Sequence, residues 1–107
     1  MPKKTESDHA NRMLSLIGMN TGCHLDRDAV GRLVVTFVRA QGFPAAVEAS
    51  DFDQDVPVDA STRAGWAAPL RQRVFASGCD PKGFGPTDCE NAQTVGDIGD
   101  SLFEAIQ

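Results

Sequence analysis

The chain has 107 residues, with 41% hydrophobic and 23% charged side chains, which is enough for one domain and too short for two. Its 15 acidic residues outnumber its 10 basic ones, for a net charge of -5 and a pI near 4.8. That balance argues against nucleic acid and anionic membrane as partners, since both reward clustered Lys and Arg, and favours a basic protein surface.

No apolar run approaches the roughly 20 residues of a membrane span. Lys3 and Lys4 are not followed by the apolar core of a secretory leader, so the expected setting is the cytoplasm. Residues 1–25 read as an N-terminal extension. Asp8 can cap a short helix over about 9–18 with Met13, Leu14 and Ile17 on one side, and Asn20-Thr21-Gly22 breaks it.

Residues 26–107 carry the main pattern. Asp26 or Asp28 suits a helix start, where free N–H groups and the positive dipole end favour a carboxylate. Val30, Leu33, Val34, Phe37 and Val38 follow at helical period, and Gly42 and Pro44 stop the helix. Val34-Val35-Thr36 would also suit a strand, but the long period decides for helix.

Residues 43–60 form a long acidic connection holding Glu48, Asp51, Asp53, Asp55 and Asp59, with Phe52 and Val56 as its inward anchors. The Asp51-x-Asp53-x-Asp55 spacing resembles the start of a calcium loop. That loop requires Gly at its sixth position and Glu at its twelfth, where this chain has Val56 and Thr62, so no metal is expected.

Asp59, or Ser61 if the helix starts later, caps the next segment, where Ala64, Ala67, Leu70 and Val74 recur at helical spacing and Trp66 joins Leu70. Gly65 and Pro69 oppose one continuous helix. The pattern predicts a turn at 60–67 and a helix at 69–76 with Pro69 in its first turn, or one kinked helix, ended by Gly78. Residues 77–93 hold Gly78, Pro81, Gly83, Gly85 and Pro86 and read as loop, with Phe84 as an internal anchor. Thr94 and Asp97 form a near-capping box, and Val95, Ile98, Leu102 and Ile106 lie on one face of a closing helix.

Phe52, Asp55, Val56 and Asp59, in that order before a helix start, resemble the loop of the acyl carrier protein family, roughly Phe-x-x-Asp-Leu-Gly-x-Asp-Ser-Leu. Leu70-Arg71-Gln72-Arg73-Val74 falls in the register of that family's Leu-Glu-Glu-Glu-Phe, and Thr94-Val95 is similar to the start of its last helix. The resemblance implies an all-α, acyl-carrier-like helical bundle over 26–107, with a long acidic loop between its first two core helices. It also implies phosphopantetheine as cofactor, acyl-transfer or synthase-type enzymes as partners, and a place in fatty acid or polyketide biosynthesis.

This chain departs from the family at the attachment site. Ala60 stands where the family has its serine, Pro57 replaces the loop glycine, and the nearest hydroxyl is Ser61. If an arm is present, Ser61 holds it; otherwise the domain works by contact alone. Rotation by one helical position turns a side chain about 100° around the axis. A literal Asp100-Ser101-Leu102 occurs near the end, but only five residues follow it, leaving no room for a recognition helix. Asp55, Asp59, Arg63, Arg71 and Arg73 are the expected partner-binding residues, and the arginines make this surface more basic than the family's acidic one.

Cys23, Cys79 and Cys89 are odd in number and contain no Cys-x-x-Cys pair, so neither a disulfide framework nor a zinc site is expected. Cys79 and Cys89 bracket the Gly/Pro-rich loop and read as two small thiols or as one bridge. No catalytic residues are expected. His9 and His24 are the only histidines, and adjacent Cys23 and His24 are poorly placed to act as nucleophile and base.

Overall fold

A computed structural model describes residues 22–107. The expected helix at 9–18 lies outside the described residues. Five helices follow in order: α1 (Arg27–Ala40), α2 (Ala60–Ala64), α3 (Ala67–Ala76), α4 (Pro86–Glu90) and α5 (Val95–Ala105). Among the described residues there is no strand, only an isolated antiparallel bridge between Asp51 and Thr94. The chain is therefore all-α over this region. No described helix is long and apolar enough to cross a membrane.

Helices α1 and α5 make the main helix pair. Asp26 caps α1, its carboxylate accepting the Ala29 N–H at 2.7 Å. Val30, Val34, Phe37 and Val38 are buried along one face, so the β-branched run does not divert the segment into a strand. On α5, Thr94 Oγ1 accepts the Asp97 N–H at 3.2 Å, while the Asp97 carboxylate accepts the Thr94 N–H at 3.1 Å. The expected capping box is present, with Val95, Ile98, Leu102 and Ile106 buried below it. Gly31 and Gly99 allow the two helices to approach: a Cβ on Gly99 would stand 3.6 Å from the Gly31 Cα.

The second helical pattern is divided at Gly65 and Trp66 into α2 and α3, one of the two forms its sequence allowed. Pro69 is the third residue of α3, a position whose N–H has no partner within the helix. Trp66, at the break, is buried with its ring edge toward Phe37 (5.7 Å between centroids) and toward Phe52 (5.9 Å). Those aromatic contacts join α1, the acidic loop and the break into one core.

Two features depart from the sequence expectations. Residues 77–93 are not all loop, because α4 forms within them. Pro86 takes its first position and the Asp88 carboxylate accepts the Gly85 N–H at 2.9 Å, which is enough to set up a single turn. The cysteines also pair differently. Cys23 bonds to Cys79 and Cys89 is a buried free thiol, so Cys79 and Cys89 form neither a bridge with each other nor two free thiols. The pairing arises because the segment before α1 runs back over the end of α3. A Cβ on Gly78 would stand 3.3 Å from the Gly22 carbonyl oxygen, and only glycine accommodates both that approach and the φ of +83° there.

Candidate functional site

The start of α2 is built from the acidic connection that leads into it. Asp51 organises that connection. Its Oδ1 accepts the N–H groups of Asp53 (3.1 Å), Gln54 (2.7 Å) and Asp55 (3.2 Å). The Asp55 Oδ2 in turn accepts the Asp51 N–H at 3.1 Å. Phe52 and Val56 turn inward from this turn and are buried. The Gln54 N–H, then those of Asp55 and Asp53, hold the Asp51 carboxyl below its ordinary value of 3.8, against a smaller opposing effect of burial. The carboxylates thus face backbone donors, and among the described residues no group of three His, Cys, Asp or Glu side chains is arranged to hold a metal ion.

The connection is also docked from outside. At the start of α5, the free N–H groups of Val95 and Gly96 donate to the Ser50 and Glu48 carbonyls at 3.0 and 2.8 Å. The Phe52 N–H donates to Gln93 O at 3.1 Å. Two of the orphan donors of the last helix are therefore satisfied by the loop's backbone.

Asp59 is the N-cap of α2, with Oδ1 accepting the Thr62 N–H at 2.7 Å. Its pKa is lowered first by that backbone donor, then by the Thr62 hydroxyl, with a lesser contribution from Arg63. Ala60 is consequently the first helical residue and Ser61 the second, both exposed. The helix does not start late enough to bring Ser61 into the position that directly follows the capping aspartate.

The three arginines expected to meet a partner are not equivalent. Arg63 is only 8% exposed. Its guanidinium donates to Val58 O, Cys89 O (3.0 Å) and Glu90 O (2.8 Å), and lies 4.7 Å above the Phe52 ring. Arg71 is half-buried and donates from Nη1 to Pro81 O (2.8 Å) and Phe84 O (2.6 Å). Arg73 alone of the three is exposed, with its guanidinium 5.3 Å from the centre of the Phe37 ring. The acceptors of Arg63 lie up to 27 residues away, and nothing local in the sequence distinguishes it from a surface arginine.

What remains outward at this end is acidic and polar: Asp53, Gln54, Asp55, Asp59 and Ser61 are exposed. Elsewhere, Cys23 is held in the bridge and has no thiol to act as a nucleophile beside exposed His24. His9 lies outside the described residues. Ser101 is half-buried within α5, well past the start of that helix. Comparison with protein families, curated proteins and solved structures finds no match to this chain.

Proposed function

We propose that this protein is a non-enzymatic, carrier-like interaction module that recognises a basic protein surface through the acidic end around the start of α2, without a phosphopantetheine arm. The observation that carries this reading is the capping of α2 by Asp59, which gives Ala60 the position where the resemblance expects a hydroxyl. A methyl group there offers no atom for arm transfer. The exposed carboxylates of Asp53, Asp55 and Asp59, together with a net charge of -5, favour encounter with a positively charged partner. With Arg63 and Arg71 turned to internal carbonyls, Arg73 is the remaining outward cation of the three.

A photo-crosslinking residue at Ser61, compared with one at Thr36 on the exposed side of α1, tests the surface. A salt-sensitive protein adduct should form from Ser61 and weaken on Asp53→Lys. Equal capture from both positions would remove the surface from consideration.

Exposed Ser61 favours a second reading, in which it carries the arm. Intact mass after co-expression with a phosphopantetheinyl transferase separates the two, because an added arm lost on Ser61→Ala would establish a carrier. A stable disulfide is uncommon in a strongly reducing cytosol, so the bridge weighs against a purely cytoplasmic setting unless it opens and closes there.

A further inference from the structure

We propose that the Cys23–Cys79 bridge is a redox-operated tether: oxidised, it holds residues 22–25 on the helical body, and reduced, it releases those residues while the body stays folded. The two sulfurs sit in unequal surroundings. Cys79 is 1% exposed and belongs to the end of α3. There the Gly78 N–H donates to Phe75 O at 3.0 Å and the Cys79 N–H to Val74 O at 2.9 Å, a closed helix terminus that does not depend on the bridge. Cys23 is half-buried on a segment without regular structure.

The attachment of residues 22–25 to the other described residues is slight. Among the described residues, no backbone hydrogen bond joins residues 22–25 to the helical body. Cys23 and Leu25 are its half-buried apolar contacts with the core. Asp26 caps α1 from within residues 26–29, so the helix start does not need the preceding segment. The buried residues of α1, α3 and α5 pack on one another and on the acidic loop.

The chemistry follows from this asymmetry. A thiolate of a dithiol reductant attacks the more accessible Cys23 sulfur. The S–S electron pair leaves with Cys79, which takes up a proton. The second reductant thiol then attacks the mixed disulfide, freeing Cys23 as a thiol and leaving the reductant as a cyclic disulfide. Two electrons pass to the protein. Cys89 stands apart from the exchange: burial first, then the charge of Asp88, pushes its thiol up to about 11, leaving very little thiolate.

Backbone 15N relaxation of the full chain at 25 °C, before and after dithiothreitol, tests the tether. Order parameters of Gly22–Leu25 should fall from about 0.85 to below about 0.6 on reduction, while the amide signals of the five helices stay dispersed. Cys23→Ser should show the reduced pattern without reductant. Collapse of the helix signals, in the reduced protein or in the variant, would make the bridge a structural staple and overturn the proposal. So would order at residues 22–25 that survives reduction, or three free thiols by intact mass in the air-oxidised protein.

Discussion

The two long connections of this protein take their turns from different sources. Residues 43–59, although docked on the start of α5, are shaped from within: Asp51 gathers three nearby N–H groups, Asp55 returns a bond to Asp51, and Asp59 caps the helix that follows. Residues 77–94 are organised largely from elsewhere: Arg71 reaches in from α3, Arg63 from α2, and Cys23 from before α1. An exposed carboxylate needs only a donor two to four residues away to shape its own turn. A Gly- and Pro-rich stretch has few side chains able to do this, so its carbonyls depend on guanidinium groups supplied by neighbouring helices.

The sharpest way to break this contrast is Arg63→Ala. It removes the donor that joins both connections and leaves the buried carbonyls of Val58 and Cys89, and the part-buried one of Glu90, without it. Stability should fall by about 4 kcal/mol, read from the urea midpoint, because an unsatisfied buried acceptor costs more than an ordinary hydrogen bond returns. Arg63→Met, which keeps an apolar stem over Phe52, should recover only a minor part. A loss below about 1 kcal/mol would mean that water serves these carbonyls equally well.

Arg71→Ala should have a smaller and more local effect, about 2 kcal/mol, through loss of the bonds to Pro81 O and Phe84 O. Amide exchange should quicken through residues 82–90 and stay unchanged through 51–56. Equal quickening in both would contradict the separate organisation of the two connections.

The smallest effect is expected at Asp51, and it depends on pH. The folded pKa of Asp51 lies below its ordinary 3.8, so its contribution is fully present above that value and disappears as pH falls through the lower, folded one. Asp51→Ala should therefore lower Tm by a few degrees at pH 6 and by progressively less below about pH 4, where the native protein loses the same contribution. A Tm difference that persists unchanged at pH 2.5 would show that the side chain acts by packing rather than by charge.

The same contrast explains which parts were legible in advance. The cap at Thr94, the caps at Asp26 and Asp59 as one of two candidates each, the buried faces of α1 and α5, and the inward turn of Phe52 and Val56 all follow from spacings of two to eight residues. The division of the second pattern at Gly65 and Trp66 was legible as one of two outcomes, since Gly65 and Pro69 both oppose a continuous helix. Helix α4 was hidden by its composition, although Pro86 with Asp88 two positions later is a usable start signal. At the candidate site, the exposed acidic residues and the first-turn place of Ser61 were legible, whereas the inward commitment of Arg63 and Arg71 was not.

Helical class, the places of the first and last described helices and the acidic character of one end were determined by sequence alone, because propensity, capping and periodicity act over a turn or two of chain. Tertiary structure decided which arginines face inward and which cysteine Cys79 meets. Both depend on carbonyls or sulfur from other parts of the chain whose direction is set only once the helices have packed, as for Arg71 with Pro81 O at a separation of 10, Arg63 with Cys89 O at 26 and Cys23 with Cys79 at 56.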